Sequence, residues 1–195
     1  MAIHATPPLC PASCGSAGAR EITGCRFSLY PLTDRFVDII LEAVSSVDTT
    51  KVWHHTDHLS TVYRGKRIHV LDAVKACFIR VWQPDVHMCM EATISRGCPG
   101  DVEADAYLAE DDGLLNEPGI KDRHFTASCK ISLYPMGRED YMLHIARIVE
   151  LAREYGVYAG PGHYVTMLEG DVQALFTYLD AATLYCDQNL DHYIL

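Results

Sequence analysis

Apolar and polar residues alternate near the start of this chain with the two-residue period of a β-strand. Phe27 and Leu29 share one face of the predicted strand, while Arg26, Ser28 and Tyr30 share the other. The proline that follows has no backbone N–H to offer a strand ladder. The pattern therefore predicts a half-buried strand that ends at this proline.

The apolar spacing downstream predicts a helix, two short strands, a second helix and a last strand. The apolar positions of the first helix recur at helical spacing: Phe36, Val37, Ile40, Leu41 and Val44. We expect the two strands at 51–55 and 58–64, the second helix over 70–81 and the last strand from 87 to about 95. The order β-α-β-β-α-β is the ferredoxin-like pattern.

The second half of the chain repeats the first in sequence as well as in pattern. The segment CRFSLYPL, which begins at Cys25, recurs as CKISLYPM, which begins at Cys129. Further on, HLSTVYRG from His58 recurs as HYVTMLEG from His163. The register slips by one residue between the two matches and then holds, which chance would not produce. We infer a duplication and predict an α+β fold of tandem ferredoxin-like (βαββαβ) repeats, with antiparallel four-stranded sheets and helices on one face of each.

The repeats set the expected domain organisation. We predict a disordered leader at 1–20, repeat 1 at 21–96, an acidic Gly- and Pro-containing linker at 97–126 and repeat 2 at 127–195. A short helical turn is expected near 103–108. The last strand of repeat 2 meets the end of the sequence at Leu195, so that strand is either short or truncated.

A ferredoxin-like sheet has one face under helices and one open face, and a small repeat tends to be marginally stable alone. The open faces need to be covered, so we expect sheet packing between repeats or between subunits. A homodimer is the natural arrangement for the second case.

Charge and hydropathy exclude several classes of protein. Apolar residues make up 49% of the chain, enough for a core, and the formal net charge is −10. Such a charge argues against sequence-independent nucleic-acid binding, which needs a basic surface. It suits a cationic ligand, although solubility alone explains it equally well.

The chain also gives no sign of a membrane or secreted location. It has no apolar run of about 18 residues and no basic start followed by an apolar stretch, so we expect no membrane insertion, no secretory signal and a cytoplasmic location. The eight cysteines are then expected as reduced thiols. Cys77, Cys89 and Cys186 fall in apolar patterns and are expected to be buried.

Several segments resemble the YkoF family of thiamin- and hydroxymethylpyrimidine-binding proteins. They are CRFSLYPLTDRFVDIIL at 25–41, DTTKVW at 48–53, TDHLSTV at 56–62, GCPGD at 97–101, LYPM at 133–136 and DYM at 140–142. The resemblance covers about 22–195 in register. It implies a dimer of tandem ferredoxin-like repeats that binds thiamin or its hydroxymethylpyrimidine part without catalysis, in association with a membrane uptake system.

The fold and the resemblance together suggest where a ligand would bind. The first and third strands of such a sheet are neighbours, so Leu29 lies near Thr61, and Leu133 near Thr166. A threonine that faces the helices either bonds a backbone carbonyl or lines a pocket. The resemblance implies a pocket between sheet and helices in each repeat. The predicted ligand-binding residues are Ser28, Leu29, Tyr30, Thr61, Ser132, Leu133, Tyr134 and Thr166.

Two features of these positions stay open. Tyr30 and Tyr134 precede a proline, where an aromatic ring either stacks on a pyrimidine or simply packs. The first repeat is also more polar, since Asp57 corresponds to Gly162. We therefore expect the tighter site in repeat 1.

Two other classes compete with a vitamin-binding protein. An effector-sensing or protein-interaction module is one. A metal-dependent hydrolase is the other, because His54-His-Thr-Asp-His58 gathers ligands of divalent metals. In a strand, however, His54 and His58 face away from His55 and Asp57. Since no nucleophile elbow or phosphate-binding glycine loop is present, we predict a protein that is not an enzyme and needs no cofactor or metal.

Overall fold

The computed structural model describes residues 21–98 and 104–195, and the α+β fold of two similar repeats is confirmed. Repeat 1 contains β1 (Thr23–Pro31), α1 (Phe36–Ser45), β2 (Trp53–Thr56), β3 (Thr61–Gly65), α2 (Arg67–Val81) and β4 (Met88–Arg96). The connection holds α3 (Glu117–Ile120). Repeat 2 contains β5 (Thr126–Ile131), β6 (Tyr134–Pro135), α4 (Tyr141–Glu154), β7 (Tyr158–Gly162), β8 (Val165–Asp171), α5 (Val172–Asn189) and β9 (Tyr193–Ile194). The predicted leader, 1–20, lies outside the described residues.

Repeat 1 forms an antiparallel sheet in the order β2-β3-β1-β4. In β1, Cys25 and Phe27 are buried under the helices, while Arg26 and Tyr30 are exposed on the other face. Phe27 lies opposite Thr61 of β3, so both side chains face the helices. The alternation in the sequence is thus the alternation of the two faces of the sheet.

Repeat 2 departs from repeat 1 at its first strand. The segment that matches β1 is divided into β5 and β6, separated by Ser132 and Leu133. β5 pairs with β8, whereas β6 pairs with β9. One strand of repeat 1 therefore corresponds to two shorter strands with a break between them.

The two repeats are joined edge to edge. β9 pairs antiparallel with β4, and Ile94 and Leu195 exchange two backbone hydrogen bonds of 2.8 Å. The resulting sheet has the order β2-β3-β1-β4-β9-β6. On the helical side, α2 packs against α5. The expectation that sheet faces pack between the repeats is wrong, because pairing along the shared edge lays the sheets of the two repeats side by side. Within 21–98 and 104–195, their open faces are left exposed.

The larger of two hydrophobic clusters runs through both repeats and surrounds α2, which is buried on nearly every side. Cys77 and Cys186 belong to this cluster, as predicted. Cys89 is exposed, so its predicted burial is wrong. It lies opposite Tyr30 on the face of the sheet that carries no helices.

The connection between the repeats is tied to repeat 1. No helix forms over the described residues 104–108, where Tyr107 instead bridges Gly65 of β3. A Cβ on Gly65 would lie 2.6 Å from the Tyr107 carbonyl oxygen, so the approach needs a glycine. The predicted helical turn near 103–108 is therefore wrong over 104–108, and a turn of helix forms later, at α3. Residues 99–101 of the GCPGD segment and residue 103 lie outside the described residues. Across 21–98 and 104–195, no helix is both long and apolar enough to cross a membrane.

Candidate functional site

A cavity of about 500 Å³ opens between the sheet of repeat 2 and α4. The sheet side is formed by Ile131, Ser132, Leu133, Tyr134, Pro135, Met136 and Thr166. The helix and the β7–β8 hairpin contribute Tyr141, Ile145, Ile148, Gly162, Tyr164 and Val165. This volume is in the range of small-molecule sites, which are mostly apolar with a few placed polar groups.

The break between β5 and β6 shapes the cavity wall. Leu133 turns into the core and is 4% exposed. The Ser132 hydroxyl donates a 2.9 Å hydrogen bond to the Tyr164 carbonyl oxygen and so fastens the β7–β8 hairpin over the break. Within the described strands, neither Ser132 nor Leu133 takes part in strand pairing. Their backbone groups are the polar groups of this wall that a ligand could use.

Thr166 lies opposite Ile131 and faces the cavity. Its hydroxyl has no hydrogen-bond partner among the residues that the structure describes. The corresponding hydroxyl in repeat 1, Thr61 Oγ1, lies 3.0 Å from Thr56 Oγ1. Of the two threonines, Thr166 therefore has the hydroxyl that is more available to a ligand.

All four predicted residues of repeat 2 line this one cavity: Ser132, Leu133, Tyr134 and Thr166. Tyr134 is 57% exposed, so its ring is not packed into the core. The structure brings these residues together but leaves their role in binding a prediction. Sequence reasoning missed Tyr164, which lies at the tip of the β7–β8 hairpin. Its backbone has a positive φ of 66°.

The predicted residues of repeat 1 are divided between the two faces of the sheet. Leu29 and Thr61 face the helices, and Leu29 packs against the core. The Ser28 hydroxyl donates a 2.9 Å bond to the Leu59 carbonyl oxygen, and Tyr30 is exposed on the open face. The side chains of Ser28 and Tyr30 thus do not meet those of Leu29 and Thr61. The tighter site that we expect in repeat 1 stays a prediction, and this geometry favours repeat 2 instead.

The helix wall of the cavity follows from simple periodicity. Tyr141, Ile145 and Ile148 lie on one face of α4 because they are separated by four and then three positions. At the start of that helix, the Arg138 guanidinium makes two 2.8 Å hydrogen bonds to Asp140. Arg138 thereby holds the pKa of Asp140 below its usual value. An ionised carboxylate consequently stands next to Tyr141, near the cavity.

The histidine cluster of the hydrolase alternative does not converge. His54 lies opposite Tyr63 and His55 opposite Val62, on opposite faces of the sheet. Asp57 is bound to Arg26 at 2.7 Å. In the described part of the chain, no three His, Cys, Asp or Glu side chains are grouped so that they could hold a metal ion.

Comparisons with known proteins agree with the resemblance seen in the sequence. The model of the YKOF-related family matches residues 22–101 and 126–195. A protein of Bacillus subtilis (strain 168), provisionally named HMP/thiamine-binding protein YkoF, is 41% identical over 175 residues. That alignment covers 90% of this chain and 88% of the relative.

Proposed function

The chain belongs to the YKOF-related family, and from that premise we propose that it binds thiamin or its hydroxymethylpyrimidine part reversibly, without changing it chemically. The observation that carries the proposal is the cavity of repeat 2, where four residues chosen from sequence lie together. The name of the Bacillus relative points to the same class of ligand.

The lining of the cavity suits an aromatic, cationic heterocycle. Tyr134, Tyr141 and Tyr164 provide π faces, which attract a cation as well as a flat ring. The Thr166 hydroxyl and the backbone groups at 132–133 can pair with the donors and acceptors of an aminopyrimidine. The net charge of −10 raises the local concentration of such a cation.

The same lining gives our reason for proposing capture rather than catalysis. No histidine, cysteine, aspartate or glutamate is among the residues that line the described cavity. A serine or threonine hydroxyl becomes a strong nucleophile when a general base lies beside it, and this lining offers Ser132 and Thr166 no histidine or carboxylate for that role. We propose that apolar enclosure supplies most of the affinity and that a few hydrogen bonds select the pyrimidine.

We also propose the setting in which this binding takes place. The protein acts as a cytoplasmic homodimer that receives thiamin or its precursor from an uptake system or from salvage. This role requires binding without chemical reaction. The open sheet faces, which no described part of the chain covers, support the dimer.

Calorimetric titration with thiamin, with hydroxymethylpyrimidine and with zinc tests the proposed function. We expect saturable binding of at least one organic ligand. Thr166→Val should weaken it about two- to tenfold, the range that one neutral hydrogen bond carries. Thr61→Val examines the first repeat in the same way, and Thr93→Val, on the open face of β4, is the control that should leave affinity unchanged.

Three outcomes would count against the proposal. A heat of binding with zinc, but with neither organic ligand, would favour the metal-dependent hydrolase. No heat of binding with any of the three compounds would favour the effector-sensing or interaction module. Unchanged affinity in both Thr166→Val and Thr61→Val would remove the two threonines from the site.

A further inference from the structure

A second cavity, of about 330 Å³, lies between α1, the end of α2 and the segment that leads into β5. It shares no residue with the cavity of repeat 2. Two arginines line it, Arg80 and Arg123, together with Trp82, Gln83 and Glu42.

Arg80 occupies the last turn of α2, is half-buried and has no carboxylate partner among the described residues. Its Nε is buried and has no hydrogen-bond partner among the described residues. By contrast, Arg67, Arg96 and Arg138 each contact a carboxylate. A buried N–H group without a hydrogen-bond partner is costly, and the planar fork of a guanidinium fits carboxylate or phosphate oxygens.

The surroundings of Arg80 hold it in place. Gly119 of α3 lies so close that a Cβ there would be 3.3 Å from Arg80 Nη2. Trp82, two residues on, stacks on Phe125 with ring centroids 4.2 Å apart and planes 6° apart. The aromatic wall of the cavity is therefore fixed before any ligand arrives, which lowers the entropy lost on binding.

The charges around the cavity favour an anion. Arg123 is exposed and, in the described ranges, has no ion-pair partner. Glu42 is the acidic side chain of the lining, so two positive charges face one negative charge. This local excess contrasts with the net charge of −10 of the whole chain. The cavity is also larger than one phosphate or carboxylate group needs, and its lining includes Trp82 and Gln83.

We propose that this cavity is a binding site for a small organic oxyanion, a phosphate monoester or a carboxylate, whose charged group pairs with Arg80 and Arg123. Trp82 contacts the organic part. The site is independent of the vitamin site that we propose in repeat 2, since the two cavities have no residue in common.

The two tryptophans of the chain make a direct test possible. Trp53→Phe leaves Trp82 as the single tryptophan, so its fluorescence reports on this cavity. We would titrate this variant with sodium phosphate and, separately, with sodium succinate, against sodium chloride at the same ionic strength. We expect a saturable change with at least one of the two oxyanions and none with chloride. A response to phosphate alone or to succinate alone identifies the group that the site prefers.

Substitutions of the two arginines then test whether the anion binds in this cavity. Arg80→Gln and Arg123→Gln should each raise the dissociation constant at least tenfold, and Arg123, being exposed, can be replaced with little risk to folding. Arg35→Gln removes one exposed charge at the start of α1 and is the matched control. A response that chloride reproduces, or an equal loss in Arg35→Gln and Arg123→Gln, would overturn the proposal. So would unchanged affinity in both cavity variants.

Discussion

Asp57 and Arg26 close the turn between β2 and β3 in repeat 1. Arg26 Nη1 lies 2.7 Å from Asp57 Oδ2, while Asp57 Oδ1 accepts hydrogen bonds from the backbone N–H groups of Leu59 and Ser60. These contacts hold the pKa of Asp57 well below its usual value. The hydrogen bond from the Leu59 N–H contributes most, followed by those from Arg26 and the Ser60 N–H. Repeat 2 has Gly162 at the equivalent place and so lacks this carboxylate.

The charge of Asp57 should make stability depend on pH. Because its pKa is lower in the folded protein than in the unfolded one, its stabilisation is complete above the unfolded value, about 4. It is lost as the pH falls through the folded value. We expect Asp57→Asn to unfold at less urea than the wild type at pH 7, with the difference shrinking as the pH falls from 4 to 3.

Urea unfolding of both proteins at pH 7, 4 and 3 measures this effect. Asp85→Asn, which alters an exposed carboxylate, is the control and should follow the wild type throughout. A gap between Asp57→Asn and the wild type that stays constant across this range would show that the charge of Asp57 is not responsible.

At the scale of elements, α2 combines an apolar surface with buried polar residues. Asp72 Oδ2 accepts from the backbone N–H and the side-chain amide of Asn116, at 3.0 and 2.9 Å. Asp72 Oδ1 accepts from the Glu117 N–H at 2.9 Å, and Lys75 pairs with the Glu117 carboxylate at 2.6 Å. These bonds fasten the connection and α3 to α2. The apolar spacing predicts this helix but carries no sign of its polar partners.

We expect Asp72→Asn to destabilise the protein although it changes the side chain very little. Asp72 accepts through both oxygens, whereas an asparagine would turn its NH₂ toward a buried N–H. One buried donor would lose its partner, at a cost of about 1–3 kcal/mol in the free energy of unfolding. Urea denaturation measures that free energy. Asp122→Asn, an exposed change in the same connection, is the control, and equal midpoints for the two variants would contradict the role of Asp72.

The helices and strands show which features of the fold the sequence pattern predicts. Periodicity predicts the extent of β1, α1 and α2 nearly as it is. The predicted face of α1 is wrong, because Phe36 and Leu41 are exposed while Ile39 is buried. The helix α2 is buried on nearly every side, so no single face identifies it. It does not predict the break at Ser132 and Leu133, where the sequence still resembles the uninterrupted β1. The pairing partner changes at that break from β8 to β9, and neither partner is adjacent in sequence.

At the scale of the whole molecule, the sheet face opposite the helices is not covered by any of the described residues. In repeat 1 it carries the exposed Arg26, Glu91 and Thr93, and in repeat 2 Lys130 and Glu169. Charges of both signs are spread along it. Two copies related by a two-fold axis could pack these faces together and pair opposite charges, as sheets do in β-sandwiches.

We therefore expect a homodimer, with a mass about twice 21.8 kDa in sedimentation velocity. Thr93→Arg, which puts a long charged side chain in the middle of the open face, should shift the protein to a monomer with unchanged circular dichroism. Gln188→Arg, at an exposed position of α5 on the helical side of the sheet, is the control. A monomeric wild type, or a Thr93→Arg variant that still dimerises, would rule out this interface.

The sequence by itself determined the duplication, the order of strands and helices and the side of β1 that faces the core. These follow from local periodicity and from matched segments, which depend only on residues close along the chain. Four residues that line the cavity of repeat 2 were also predicted from the sequence, since both copies carry the same Ser-Leu-Tyr segment and threonine.

Tertiary structure alone decided how the halves meet and which one is open. The pairing of β4 with β9 is a contact between distant backbones, whose hydrogen-bonding groups are the same in every sequence. The space beside Thr166 depends on where α4 lies over the broken strand, a matter of side-chain volume and position that periodicity does not encode.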